Sequence, residues 1–461
     1  MNISKGIQLI FGANIVNLFL NVIITFLMPK YLAVDRYSLI KTYQLYVSYC
    51  GILHLGFVDA VYLRYSGNNI NDVNNEEVQK NIALFKSFQW IMTIFFIGIG
   101  VYMKDIVVVA LALTIYPVNL ISFFQYFYQA IGDYKNYSRI LKFLSTVYFI
   151  GVIILLFILK STSAYIYIYW FLGVRIIAII LLQYGHRVKK VCYSRIYFSI
   201  KELVGFIKIG CPLMLGNLIS ELLISLDRWF IKFFFNTVVF AQYSFAANIE
   251  SFINAVISPI TITLYNYLVR VREWDKVYYI RKLLWIVSSY VLLGVFPIKF
   301  LIYLILPNYK DSCTVIILLF ASQFFFIIYK GVYVNLYKVH NLQNMYFSRT
   351  LVIVIISAVL NYVFIKIFNS SNSVAMATLC SSIICLIISR RDFKEIRIKT
   401  REVLYILGIL SIYLLCSLRM SVLSGTFVYV LISTLMNILF FNRETKKIMK
   451  YVGELIKDLN R

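Results

Sequence analysis

The sequence predicts an all-α polytopic membrane protein with about 14 transmembrane helices. Two pseudo-symmetric six-helix lobes are expected around a central cavity, followed by two extra C-terminal helices. Three observations carry this prediction. Hydrophobic residues make up 61% of the 461 residues, and the mean hydropathy is +0.80; no soluble globular class reaches those values. Apolar runs of about 20 residues recur along most of the chain. Basic residues gather in every second connection between those runs, which is how orientation signals are laid out.

The first run, Gly6 to Met28, is too long for a signal-peptide core and has no small-residue cleavage site, so a retained first span is expected. Further spans are expected at 38–63, 82–103, 106–130, 140–159 and 163–184. After a basic stretch come 205–235, 239–268, 283–306, 312–337, 348–368, 373–389, 403–421 and 425–441. The predicted organisation is an N-terminal lobe over 1–184, a basic connection over 185–204 and a C-terminal lobe over 205–390. A second basic connection (391–402), two extra helices (403–441) and a basic tail (442–461) complete it.

The even-numbered connections hold Arg64 and Lys80; Lys135 and Arg139; Arg187, Lys189, Lys190, Arg195 and Lys201; and Arg270, Arg272, Lys276, Arg281 and Lys282. They continue with Lys338 and the cluster from Arg390 to Arg401. The odd connections hold few. Positive residues stay cytoplasmic, so both termini are expected inside. The formal net charge of +25 reflects this sorting and does not point to nucleic acid. The longest polar connection without dense positive charge, Ser66 to Asn81, reads as a flexible cytoplasmic loop.

The chain echoes itself. GAN at 12–14 and DRYSLI at 35–40 are matched by GN at 216–217 and AQYSFA at 241–246; YSR at 137–139 is matched by FSR at 347–349. Six spans separate each pair, an even number, so the repeat is parallel, about an axis along the membrane normal.

Charges inside a span are expensive, about 2.5–3.5 kcal/mol at the bilayer centre, and are tolerated where they face a bundle interior or a wet cavity. Gly205 to Ser258 holds Asn217, Ser220, Glu221, Asp227 and Arg228 among Leu, Ile and Phe. Span 1 carries Asn14, Asn17, Asn21 and Thr25 on one helical face. Matched stripes on equivalent helices predict a cavity wall; the alternative is that they glue neighbouring helices. Asp227 and Arg228 are also readable as a structural ion pair. Glu250, Ser251 and Asn254 line part of span 8, with Pro259 beyond them permitting a bend. Glu250 is a candidate proton or cation carrier and equally a partner for Arg228. Arg175 is the most isolated internal cation. Arg64 and Arg139 stand at the inner mouths of spans 2 and 5, where they are also readable as orientation charges.

Motifs for chemistry are missing from the sequence. It has no G-x-x-x-x-G-K-[ST], G-x-S-x-G or H-E-x-x-H. Its seven Cys form no C-x-x-C pair and its three His are scattered, so no metal site, no cofactor and no enzymatic activity is expected.

The run KIGCPLMLGNLISELLISLDRWFIKFFFNTVVFAQYSFAANI resembles the seventh-to-eighth span signature of oligosaccharide flippases. LGFVDAVYLRYSG at 55–67 resembles the end of their second span, and FYQAIGDYKNYSRI at 127–140 their fourth-to-fifth connection. Over roughly 1–390 the chain is similar to Wzx-type polysaccharide transporters, in the superfamily that includes lipid II flippases and multidrug extruders. The resemblance implies a multi-pass protein of the bacterial cytoplasmic membrane. It implies alternating access and an undecaprenyl-pyrophosphate-linked oligosaccharide cargo moved to the outer leaflet for O-antigen, capsule or exopolysaccharide. Membrane lipids, a glycan polymerase and a chain-length regulator are the implied partners. By motif position Arg64 and Arg228 would hold the pyrophosphate, with Asp227 beside Arg228. Arg175, Arg139, Asn14, Asn17, Asn21 and Asn217 complete the expected substrate-binding set, and Glu221, Asp227 and Glu250 the ion-coupling set. Asn14, Asn17 and Asn21 stand where lipid II flippases have an Arg-Asp pair, which argues against a peptidoglycan precursor. The rivals are a multidrug or cation extruder of the same fold, which needs deep acids in the first lobe, and a membrane glycan polymerase, which needs a long external loop.

Overall fold

The computed structural model describes residues 3–66, 73–187, 197–270 and 273–459. Residues 67–72 of the connection between Ser66 and Asn81, and the bases Lys189, Lys190, Arg195 and Arg272, lie outside the described residues; the end of that connection, expected as loop, already forms the first turns of the helix Asn75–Tyr102. No strand occurs among the described residues. Among the described residues thirteen helices are long and apolar enough to cross a membrane, and the chain is a multi-pass membrane protein. A fourteenth span is broken: Val34–His54 and Phe57–Tyr65 are bent by 60°. The expected single helix over 38–63 is therefore two. Leu55 (φ 48°) and Gly56 (φ 84°) leave the right-handed region in succession, which ends one helix and starts the next.

The chain divides into two compact units, Met1–Glu221 and Leu222–Arg461. The division falls inside helix α8, beyond the basic connection. In unit 1 the elements are α1 (Ile3–Tyr31), α2 (Val34–Ser48), α3 (Phe57–Tyr65), α4 (Asn75–Tyr102), α5 (Ile106–Ala130), α6 (Tyr134–Ile153), α7 (Ala164–Arg187) and the first part of α8 (Ile200–Phe234). Side-chain caps set several starts. Asn74 accepts from Glu76 N at 3.0 Å, Asp105 from Val107 N at 2.8 Å, and Asp133 from Asn136 N at 3.2 Å.

Helix α5 is the hub of unit 1 and packs against α2, α3, α4, α6 and α7. Its Phe123 stacks on Phe85, which meets Phe57, which stacks on Phe206 of α8 with ring centroids 4.4 Å apart. A polar seam runs beside these rings. Asn119 donates to Gln89 Oε1 at 2.8 Å, and Tyr43 shares a 2.6 Å hydrogen bond with Thr114. Both asparagine and glutamine are fully buried, so Asn119 joins helices inside the unit.

Unit 2 contains the rest of α8, α9 (Thr237–Arg270), α10 (Trp274–Val291), α11 (Val295–Ile305), α12 (Ser312–Ile328), α13 (Asn335–Val339), α14 (Gln343–Phe368), α15 (Ser371–Asp392), α16 (Thr400–Arg419) and α17 (Val422–Leu459). Helix α9 continues through Pro259 as one element. Helix α12 is the core, with 94% of its apolar window buried; α9, α10 and α15 surround it. A π-helical turn over Tyr329–Val334 joins α12 to α13.

The last two spans pack on this core through tyrosines. Tyr405 donates to Asn437 Oδ1 at 2.6 Å, Tyr429 to Ser289 O at 2.8 Å and Tyr413 to Ile317 O at 3.0 Å. Phe441, at φ −136° and ψ 49°, interrupts α17 where the apolar span gives way to the basic segment.

Arg281, one of the bases expected to set orientation, and Arg349 are both paired with carboxylates. Arg281 is fully buried and meets Glu402 at 2.9 Å. It also donates to the carbonyls of Ile396 and Arg397, tying the basic connection to α10. Arg349 holds Asp392 through two bonds of 2.8 and 2.9 Å.

Candidate functional site

In unit 1 the break in the second span builds a polar cluster. Gly56 and Gly210 press backbone on backbone: a Cβ on Gly210 would lie 1.8 Å from Gly56 O. Only two glycines permit this approach. It brings Asn217, about two turns further along α8, against Asp59, which lies on the turn after the break. Asn217 Nδ2 donates to Asp59 Oδ1 at 3.1 Å. Gly56 N–H donates to His54 Nδ1 at 3.1 Å, so the neutral ring carries its proton on Nε2. That nitrogen faces Asp59 Oδ2 at 3.8 Å, too long for a hydrogen bond and within reach of an ion pair when the ring is charged. His54 and Asp59 are both buried. With Glu221, Asn217 and Tyr126 they line a cavity of about 190 Å³.

The other predicted residues of unit 1 do not converge there. Asn14 and Asn21 are exposed on α1. Asn17 is half-buried and accepts from Ser145 of α6 at 2.7 Å and from Asn21 at 2.8 Å, a helix-joining role for at least that member of the stripe. Arg64 pairs with Glu77 at 2.6 Å while staying half exposed; surface pairs of this kind are worth about 0–1 kcal/mol. Arg139 is exposed at a separate cavity beside the α5–α6 turn. Arg175 lies over the ring of Phe171 at 3.2 Å and donates to Phe171 O at 3.0 Å. Tyr43 and Tyr148 pack edge-on against that same ring. No carboxylate among the described residues pairs with Arg175, so the aromatic rings supply its stabilisation.

In unit 2 the polar groups form rungs between facing helices. Asp227 of α8 accepts from Tyr243 OH of α9 at 2.7 Å and from the Arg228 backbone N–H at 2.7 Å. Two turns along α9, Glu250 accepts from Gln323 of α12 at 2.6 Å. One turn further, Asn254 accepts from Lys330 at 2.7 Å. Tyr243 and Glu250 are seven residues apart, as are Gln323 and Lys330, so each pair shares a helix face. Asp227 and Glu250 are buried. Among the described residues Asp227, Arg228, Glu250 and Lys330 form no ion pair, so the expected Asp227–Arg228 and Glu250–Arg228 pairs are not made. The Arg228 Nε is buried without a partner. Lys330 lies in the π-helical turn, a distortion frequent at functional sites.

Sequence reasoning missed His54, Gln323 and Lys330. Lys330 carried the same signal as Glu250, an ionisable group in an apolar run. His54 carried none until the helix break placed it beside Asp59.

The chain is thus a helical membrane protein whose spans hold buried ionisable groups hydrogen-bonded to amide and tyrosine side chains. Its fold is that of the transporters of the MOP superfamily. It is similar to a structure of the lipid II flippase MurJ in an inward closed conformation, with a TM-score of 0.70 and 14% identity over 95% of this chain and 99% of that one. It is also similar to an inward-facing multidrug resistance MATE transporter of the MOP superfamily, with a TM-score of 0.57 and 13% identity over 83% and 95%. No protein-family model matches the chain, and no curated protein sequence matches it at a significant level.

Proposed function

We propose that this chain is a flippase. It moves an undecaprenyl-pyrophosphate-linked oligosaccharide from the inner to the outer leaflet of a bacterial cytoplasmic membrane by alternating access, with both termini cytoplasmic. The observation that carries the reading is α8. Within twelve residues it presents Asn217, Glu221, Asp227 and Arg228, and the first three have hydrogen-bonding or cavity-lining roles inside the spans. In the proposed cycle the sugars occupy polar surface and the polyprenyl tail stays in lipid. Arg228 and Arg64 compensate the pyrophosphate, with Arg175, Arg139, Asn14, Asn17, Asn21 and Asn217 as further contacts. An inside-negative potential favours outward movement of an anion by about 2.3 kcal/mol per charge per 100 mV. Proton or cation exchange at Glu221, Asp227 or Glu250 resets the empty carrier. A glycan polymerase and a chain-length regulator act on the flipped product.

Arg228→Ala and Arg64→Ala test the reading. Arg228 is half-buried, and losing a partly desolvated charge that meets the pyrophosphate costs about 2 kcal/mol. Arg228→Ala should therefore lower glycan export roughly thirtyfold at unchanged protein level, and half-exposed Arg64→Ala should lower it less. Normal export from both variants at normal abundance contradicts the proposal.

One observation favours the rival of a cation extruder. Its requirement is acids deep in the first lobe; Asp59 of that lobe is buried and lines a cavity of unit 1 together with Glu221 of α8. Under that reading, efflux of an organic cation such as ethidium depends on the chain and is lost in Asp59→Asn and Glu221→Gln. Under the flippase reading ethidium efflux is the same with and without the chain.

A further inference from the structure

A second cavity of unit 1, about 560 Å³, lies where the α5–α6 turn meets the end of α7. Arg139 apart, no candidate transport residue lines it. Lys135, Arg139 and Phe143 line one wall at four-residue intervals along α6, so they share a face. The order matters: the cations are at the start of the span and the phenylalanine is deeper. Leu181 and Leu182 of α7 supply an apolar wall.

The charge balance of the cavity is positive. Lys135 and Arg139 are exposed and form no ion pair among the described residues. Among the described residues the Arg139 guanidinium makes one hydrogen bond, a long one of 3.4 Å to Asn136 Oδ1. The one acid in the lining, Asp133, is occupied as the α6 cap, accepting from Asn136 N at 3.2 Å and Asn136 Nδ2 at 2.6 Å. Gly132 at φ 72° turns the chain there. The volume falls in the range that holds small ligands, roughly 300–1,000 Å³. A mouth with two cations leading to an apolar interior along the span axis matches the polarity of one ligand class: phosphate outermost at the interface, hydrocarbon inward.

We propose that this cavity binds the phosphate headgroup of a membrane lipid through Lys135 and Arg139, with the first part of its hydrocarbon chain against Phe143, Leu181 and Leu182. The inference goes beyond the transport reading: it shares only Arg139 with the contacts proposed there, and its test measures lipid binding and not export. The phosphate has two possible sources, a bulk anionic phospholipid or a polyprenyl pyrophosphate.

The test is displacement of a fluorescent short-chain phosphatidylglycerol from the full chain purified in detergent. The competitors are unlabelled phosphatidylglycerol, undecaprenyl pyrophosphate and inorganic pyrophosphate. The probe should bind, either lipid should displace it, and the stronger lipid identifies the source. The double variant Lys135→Ala/Arg139→Ala should weaken binding about thirtyfold. Both side chains are exposed, so the fold should survive. Lys142→Ala, exposed on the same helix outside the cavity, should bind as the parent does. Failure of the parent chain to bind the probe, unchanged binding in the double variant, or competition by inorganic pyrophosphate equal to that of the lipids would each overturn the proposal.

Discussion

Gly210→Val is expected to prevent unit 1 from folding around its broken span. The added Cβ would stand 1.8 Å from Gly56 O and 2.6 Å from Ala60 N. Both obstacles are backbone, so neither can rotate away, and relief requires α3 and α8 to separate. Overpacking that displaces backbone costs roughly 3 kcal/mol or more. The reciprocal change, Gly56→Ala, meets Cys211 N at 2.4 Å and also has to adopt φ 84°, which a side chain disfavours. Either variant should show a large fall in the melting temperature of detergent-purified protein, and in folded yield, compared with Gly216→Ala, whose Cβ meets nothing within 4 Å. Parental stability in Gly210→Val would show that the two helices do not touch at these glycines. Because the same contact brings Asn217 to Asp59, loss of the glycines should disperse the polar cluster as well.

Arg281→Met is the second large effect. The guanidinium is fully buried and holds the Glu402 carboxylate together with the Ile396 and Arg397 carbonyls. Removing it leaves a buried carboxylate and two acceptors without their donor, which costs about 3–5 kcal/mol. Glu402→Gln should cost less, because an amide oxygen still accepts from the guanidinium. The double variant Arg281→Met/Glu402→Leu should recover part of the loss, since no buried charge remains, yet the two carbonyls stay unpaired. Thermal unfolding of these proteins together with Glu402→Leu, which completes the cycle, measures the coupling. Equal stability of Arg281→Met and the parent would contradict the buried pair.

Much of this architecture was readable from hydropathy, because a bilayer demands about 20 apolar residues for each crossing whatever the neighbours are. The break at Leu55–Gly56 was hidden for the same reason: the apolar run continues across it, and hydropathy does not register φ. The polar stripes were legible as stripes but not as partnerships. Asn17 and Asn119 look alike in sequence, each an amide within an apolar run. Their partners, Ser145 and Gln89, are 128 and 30 residues away, a separation no periodicity reports. Asp227 was readable as a partner of adjacent Arg228, yet successive residues on a helix point apart by about 100°, and its partner is Tyr243 on the next helix. Arg281 sat among the bases that sort connections to one side, and its burial depends on how residues 394–402 fold back on α10. Lys330 could have been found by the rule that found Glu250, an ionisable side chain within an uninterrupted apolar run.

The most direct measurement of the central claim is the leaflet distribution of the lipid-linked oligosaccharide when the chain is depleted in its host. Protection of the glycan from an externally added, membrane-impermeant glycosidase or lectin reports which leaflet holds it. The account predicts accumulation of undecaprenyl-pyrophosphate-linked repeat units inaccessible from outside, reversed by the parent chain and poorly reversed by Arg228→Ala. Repeat units that remain accessible from outside at the parental level after depletion would contradict it.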